Sequence, residues 1–188
     1  MTTRSREDVV QAAGRLFAAR GFHGTSMRDL GDELGLLGSS LYSHVESKEQ
    51  LLIEVVQRGA ALFQALADSV AVSDRPPAEK VAALVRGHVD IITSNQEQSA
   101  TFLNEARFLP ADGRTAIVIL RDRYEETFRE VIAEGVARGA FRDQNPALAS
   151  ILVLSVLNAL TRWYRPSGAQ TPEEIADAMV AFVMDGLQ

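Results

Sequence analysis

Apolar residues along the chain recur at intervals of three and four, and strict alternation is almost absent, so the pattern is that of amphipathic helices. Over residues 6–20, Val9, Ala13, Leu16 and Phe17 share one face, and Gly21 follows as a helix stop where glycine enters left-handed backbone at least cost. Thr25 or Ser26 supplies the next N-cap, and Ser26 with Asp29 has the spacing of a capping box. Met27, Leu30 and Leu34 then form the apolar face of a short second helix closed by Gly35. A third short helix runs from about Gly38 to His44. Ser47 with Gln50 caps a long helix whose buried stripe is Leu51, Leu52, Val55, Val56, Phe63 and Leu66.

Beyond residue 72 the same period continues between breakers. Pro76-Pro77 opens a helix that ends near Ser94, a shorter one occupies about 97–108 and stops at Pro110, and another runs from about 114 to 138, ended by Gly139. Asn145-Pro146 reads as an N-cap followed by proline in the first turn. Thr171-Pro172-Glu173-Glu174 repeats that logic, with acidic groups where the helix dipole favours them. The prediction is an all-α chain of about nine helices. It divides into a three-helix head, residues 1–47, and a larger helical domain, residues 48–188.

Composition removes several function classes. The chain is 46% hydrophobic and 23% charged, enough apolar material for a packed core. With no cysteine, disulfides, thiolate zinc sites and cysteine nucleophiles are excluded. The start MTTRSREDVV lacks the apolar stretch of a secretory signal. The longest apolar run, residues 147–160, is interrupted by Ser150, Ser155 and Asn158 and falls short of the roughly 20 residues that span a bilayer. The expectation is a cytoplasmic protein with no membrane partner. His23, His44 and His88 are scattered, without an H-E-x-x-H or Glu-x-x-His pairing, and no glycine-rich loop follows a strand. No catalytic site, metal or cofactor is therefore expected. The net charge of -6 bears on nucleic acid binding: residues 1–50 hold six basic and seven acidic side chains. Any grip on DNA must come from a few well-placed groups rather than a basic stripe.

Two short helices joined by a tight turn containing glycine, close to the N-terminus, are the signature of a helix-turn-helix. Its second helix must enter the major groove while the first braces it across the backbone. In GSSLYSH, residues 38–44, Leu41 faces inward and Ser39, Ser40, Tyr42, Ser43 and His44 stay available. Lys48 stands in the first turn of the next helix, where backbone N–H groups also favour a phosphate.

Residues 12–52 resemble the DNA-binding segment of the tetracycline-repressor (TetR) family. The resemblance is carried by A-x-x-L-F at Ala13–Phe17, G-F-x-G-T-S at Gly21–Ser26, L-Y-x-H at Leu41–His44 and S-K-E-x-L at Ser47–Leu51. It implies a DNA-facing set of Thr25, Ser26, Arg28, Ser39, Ser40, Tyr42, Ser43, His44 and Lys48. Tyr42, His44, Lys48 and Thr25 would hold phosphates, and Arg28 with the exposed positions of the third helix would read bases. Leu37 and Gly38 depart from the family, which commonly has Ser or Thr and then Lys, Arg or Pro there. The cap must then come from elsewhere, with Ser39 as the candidate.

Residues 158–176, NALTRWYRPSGAQTPEEIA, resemble the end of a TetR subgroup whose effectors are fatty acids or acyl-CoA thioesters, and LGLLGSSLY at 34–42 leans the same way. The family likeness implies a homodimer on near-palindromic double-stranded operator DNA, released by a small effector. Its last two helices would pair with those of a second copy through Leu152, Val156, Leu160 and Trp163 on one and Ile175, Met179, Phe182 and Val183 on the other. The same stripes also read as ordinary intrachain core. Effector contacts are sought at Phe102, Arg107, Tyr124, Phe128 and Asn158. Each carries a plainer reading beside it: core packing for the aromatic residues, a surface ion pair for Arg107, and a polar edge shared with Ser155 and Arg162 for Asn158. His88, on an apolar helix face, reads as a satisfied core histidine. The rival to a DNA-binding regulator is a helical adaptor whose N-terminal head binds protein.

Overall fold

In a computed structural model the chain is described at residues 5–36 and 38–188, the side chains of residues 38, 39 and 112 excepted. Leu37 and the side chain of Ser39, two of the positions singled out above, lie outside the described residues. Nine α-helices and no strand are present among the described residues. They are α1 (Arg6–Arg20), α2 (Met27–Leu34), α3 (Gly38–Tyr42), α4 (Lys48–Ala71), α5 (Pro77–Ser94), α6 (Gln96–Ala100), α7 (Ala111–Ala137), α8 (Pro146–Trp163) and α9 (Pro172–Leu187). The chain forms two compact units. The first joins residues up to Ala61 with Gln96–Val118, and the second joins Leu62–Asn95 with Ile119–Gln188. Helices α4 and α7 therefore each contribute residues to both.

The predicted caps fold as local chemistry requires. Ser26 caps α2, accepting from the Asp29 N–H at 3.2 Å while the Asp29 carboxylate accepts the Ser26 N–H at 2.7 Å. Asn145 caps α8 with Pro146 in its first turn, and Thr171 with Glu174 forms a full capping box on α9. Ser5 and Asp8 make a further box on α1. Gly21 ends α1 with φ 74° and ψ 162°, positive in φ as expected but extended in ψ, a region open essentially to glycine alone. It is Gly35 that adopts the left-handed stop, at φ 65° and ψ 31°.

Three boundaries differ from the periodicity. Helix α3 ends at Tyr42 and leaves His44 in the loop. Helix α7 begins at Ala111 because the Pro110 carbonyl accepts the Arg114 N–H at 2.8 Å, so this proline opens a helix as well as closing one. The helix expected over 97–108 changes register inside itself. Short α6 passes into a π-helical turn at Thr101–Glu105 and then a 3₁₀ turn at Ala106–Phe108.

Within the first unit, Phe17, Leu30, Leu41, Leu51 and Leu52 are fully buried, and the Phe17 and Phe22 rings meet edge to face at 5.5 Å. In the second, Phe63, Leu84, Phe128, Ile132, Leu157 and Leu160 form the core. There α4 and α5 approach so closely that a Cβ on Gly87 would lie 2.4 Å from Leu66 Cδ1. The neighbouring His88 ring lies 4.9 Å from Phe63. Helix α8, with a mean hydropathy of 1.4 over 18 residues, is long and apolar enough to cross a membrane by those measures alone. Here it packs on α5 and α9 as a helix of the second unit.

Candidate functional site

The head is built from α2 and α3, braced by α1 and the first turns of α4. Leu41 is fully buried and anchors α3, while Tyr42 is 57% exposed and Ser40 and Ser43 face solvent. Ser43 donates its hydroxyl to the Ser40 carbonyl at 2.7 Å. His44 is half-buried, and its carbonyl accepts from Arg6 at 3.0 Å, tying the end of the recognition segment to α1. Arg28 is the freest cation of the set: its side chain is 91% exposed and its distance to Asp32 is 3.9 Å, a weak surface pair.

Thr25 and Lys48 both spend their polar groups on the turn between α1 and α2. Thr25 is 1% exposed, and its hydroxyl donates to the Leu16 and Gly21 carbonyls. Lys48 Nζ donates to the carbonyls of Phe22 at 2.9 Å and Thr25 at 2.8 Å and stands over the Phe22 ring at 4.2 Å. Both side chains hold the turn between α1 and α2 from within. The same turn is also gripped by residues far along the chain. Glu105 Oε2 accepts the Phe22 N–H at 2.7 Å, and the Phe108 ring stacks on Phe22 and meets His23 at 4.4 Å. Nothing in the sequence signals this contact, because position 105 joins position 22 across 83 residues.

Charge on the head is largely self-neutralised. Arg6 pairs with Glu54, Arg15 with Glu33, Arg20 with Asp29, and Arg58 with Glu7 and Glu54. The hydrogen bond from Ser26 holds the Asp29 carboxyl below its ordinary range, so that carboxylate stays charged at the tip of α2. Sequence-independent attraction to DNA is thereby limited to a handful of groups.

The five candidate effector residues fall in both units. Phe102 (buried) and Arg107 (exposed, its guanidinium 4.6 Å over Phe108) belong to the first. Tyr124, Phe128 and Asn158 belong to the second, where they come together with Phe63 and His88. Tyr124 Oη lies 3.1 Å from His88 Nδ1, and the rings of Phe63 and Phe128 meet Tyr124 edge to face at 5.3 and 5.5 Å. Burial pushes His88 down to about 3, although the nearby Asn158 side chain works in the opposite direction, and burial raises the Tyr124 phenol. The imidazole and phenol are both uncharged near neutral pH. The Asn158 side chain lies near enough to the imidazole to favour its protonated form. His88 Nε2 and Asn158 Oδ1 are each buried without a hydrogen-bond partner among the described residues. His88 is thus only half satisfied as a core histidine. Of the polar edge expected around Asn158, Ser155 and Arg162 face solvent, whereas Asn158 is only partly exposed and its Oδ1 is buried.

The stripes on α8 and α9 divide. Leu160, Ile175, Met179 and Val183 are buried within the chain, whereas Leu152, Val156, Trp163 and Phe182 are exposed by 58, 37, 50 and 65%. The exposed set lines an apolar groove of about 850 Å³ between the two helices. Among the described residues, no group of three or more His, Asp or Glu is placed to hold a metal ion.

Known proteins share this arrangement. A family model described as bacterial regulatory proteins, tetR family, matches residues 9–55, and one described as tetracyclin repressor-like, C-terminal domain, matches residues 74–187. The HTH-type transcriptional repressor KstR2 of Rhodococcus jostii (strain RHA1) is 33% identical over 186 residues, 97% of this chain and 90% of the relative. The solved ketosteroid transcriptional regulator KstR2 of Mycobacterium tuberculosis superposes with a TM-score of 0.92 at 26% identity, covering 100% of this chain and 96% of that one. AibR, solved in complex with isovaleryl coenzyme A and operator DNA, gives a TM-score of 0.86 at 26% identity over 94% of this chain and 96% of that one. The chain belongs to the tetracycline-repressor (TetR) family of transcriptional regulators.

Proposed function

We propose that this chain is a homodimeric repressor that reads a near-palindromic operator and leaves it when a fatty acyl effector, as acid or coenzyme A thioester, binds residues 48–188. The observation that carries the DNA half is the exposed polar surface of α3 on a buried anchor, Leu41, beside the freely exposed Arg28. On this reading Arg28, Ser40 and Ser43 address base edges, while Tyr42 and His44 address phosphates with Ser26 at the tip of α2. Ser39 belongs to the same helix by register. Thr25 and Lys48 serve mainly to hold the turn, with the third N–H of Lys48 still available to a phosphate. Residues 1–47 are the reading head.

Two short recognition helices need a two-fold axis to read two half-sites about one helical turn apart, or a multiple of it. The apolar groove between α8 and α9 is the face we assign to the second copy, since Leu152, Val156, Trp163 and Phe182 would otherwise stand in water. The acyl effector rests on the likeness at residues 158–176 and on AibR, which binds isovaleryl coenzyme A. An effector shifts the balance only by binding the two states unequally, and about 1–3 kcal/mol of coupling is the usual scale. The test is to recover genomic fragments retained by the purified chain and titrate acyl-CoAs, fatty acids and unrelated aromatic compounds against one of them. Retained near-palindromes released by acyl compounds support the reading. Retention that ignores salt, or release by aromatic or cationic compounds alone, removes the DNA half or the acyl half respectively.

A further inference from the structure

The second unit spends three polar side chains in a setting that packing alone would fill with leucine. His88 from α5 meets Tyr124 from α7 and Asn158 from α8, with Phe63 against His88 and Tyr124 and Phe128 against Tyr124. His88 is 1% and Tyr124 6% exposed, while Asn158 is half-buried with its Oδ1 enclosed. A buried polar atom left without a partner costs about 1–3 kcal/mol, and each such atom calls for an explanation. Here there are two, His88 Nε2 and Asn158 Oδ1, on residues that already approach one another. If Tyr124 donates to Nδ1, the imidazole carries its proton on Nε2 and offers a donor; in the other tautomer Nε2 is an acceptor. Beside it Asn158 offers an amide with both a donor and an acceptor.

We infer that His88, Tyr124 and Asn158 form a binding subsite for one uncharged oxygen, a carbonyl or hydroxyl, on an otherwise apolar effector. This deepens the effector reading above and rests on it. A neutral oxygen accepts from Nε2–H or the amide N–H, and a hydroxyl can also donate to Oδ1, so the unpaired atoms are satisfied without importing charge. A carboxylate brings a full negative charge among groups that carry none, into a core where an isolated ion is strongly disfavoured. The cluster therefore selects a thioester, ketone or alcohol over a free fatty acid. The surrounding rings supply apolar contact for the rest of the ligand.

The experiment is direct binding to the full chain by calorimetry with a matched set: dodecane, dodecanone, dodecanol, dodecanoate and dodecanoyl-coenzyme A. The expected order has dodecanone and dodecanol binding about tenfold more tightly than dodecane, the scale of one buried hydrogen bond, and dodecanoate weakest of the oxygenated set. Dodecanoyl-coenzyme A compared with dodecanone tells whether the oxygen is a thioester carbonyl or one carried on the chain itself. Tyr124→Phe and Asn158→Leu should each shrink the ketone-over-alkane ratio toward one, whereas a loss of packing lowers both affinities and keeps the ratio. Two variants are used so that one which fails to fold, judged by circular dichroism, leaves the other to decide. A ratio unchanged in the folded variants, dodecanoate binding as tightly as dodecanone, or no binding by any of the compounds overturns the subsite. Retention of operator fragments by the same preparation is scored separately. The regulator reading therefore stands or falls on its own, and release by dodecanoyl-coenzyme A with an unchanged ratio would leave the acyl effector standing without this subsite.

Discussion

An ammonium group has three N–H donors, and at Lys48 two are spent on the Phe22 and Thr25 carbonyls. A side chain whose type and position suit a phosphate is thereby also a structural tie, and the two roles separate by experiment. Lys48→Met keeps the aliphatic stem and removes the charge. It should cost about 2 kcal/mol of stability in urea unfolding, the scale of hydrogen bonds to a charged donor. It should also weaken every DNA sequence alike, with the salt slope reduced by about one. An unchanged slope in a folded variant would show that Lys48 acts only through the turn. At His88 the sign of the pH dependence follows from burial. The folded imidazole titrates at about 3 and the unfolded one at 6.5, so between those values only the unfolded chain takes up the proton. Stability is fully present above pH 6.5 and declines as pH falls, by about 1.4 kcal/mol per unit for this one group. Urea midpoints at pH 7.5 and 5.5, at fixed protein concentration, should show a steeper acid loss in the wild type than in His88→Leu. Equal slopes would mean the imidazole is open to protonation in the native state.

Elements show how local rules and distant contacts divide the work. The Ser26–Asp29 box fixes where α2 begins, and α2 supports α3; Ser26→Ala should cost about 1 kcal/mol in stability and lower DNA affinity without changing sequence preference. The π-helical turn at Thr101–Glu105 is of another kind. It carries Glu105 to the Phe22 N–H and precedes the 3₁₀ turn that presents Phe108 to Phe22 and His23, so a stretch within the C-terminal family match packs in the same unit as the head. Glu105→Ala leaves a part-buried amide unpaired, an expected loss of about 1–3 kcal/mol. Amide exchange at Phe22 is the direct check, and unchanged protection there would argue that the hydrogen bond contributes nothing.

On the scale of the whole molecule, the question is what covers the α8–α9 groove. Four exposed large apolar residues on two adjoining helices form a face that a second copy can bury, and a charge placed there would have to be desolvated on association. Phe182→Glu should therefore yield a folded monomer in sedimentation at micromolar concentration and lower operator affinity more than tenfold, since one head reads only one half-site. A variant that stays dimeric would place the two-fold axis elsewhere. The charge of -6 acts at this scale as well. With Arg6, Arg15 and Arg20 of the head paired to carboxylates, nonspecific DNA binding should be weak at physiological salt, and specificity must come from few contacts.

Periodicity, caps and breakers were enough to place α1, α2 and α5, and the starts of α8 and α9, nearly to the residue, because each depends on groups within about four positions of one another. The motif spanning Ala13 to Leu51 likewise identified the head, because its spacing is set by one tight turn and the helices on either side. The sequence did not disclose that Thr25 and Lys48 turn inward, that Glu105 reaches Phe22, or that His88 and Asn158 keep unpaired atoms beside Tyr124. Nor did it divide the α8–α9 stripes, in which Leu160 is buried and Leu152 exposed at the same helical period. Those outcomes join positions 36 and 83 residues apart, or depend on which side of an apolar helix meets its neighbours. Local sequence sets the shape of each helix, but only packing among helices decides which of its faces finds a partner, because burial and hydrogen-bond satisfaction are properties of the assembled core.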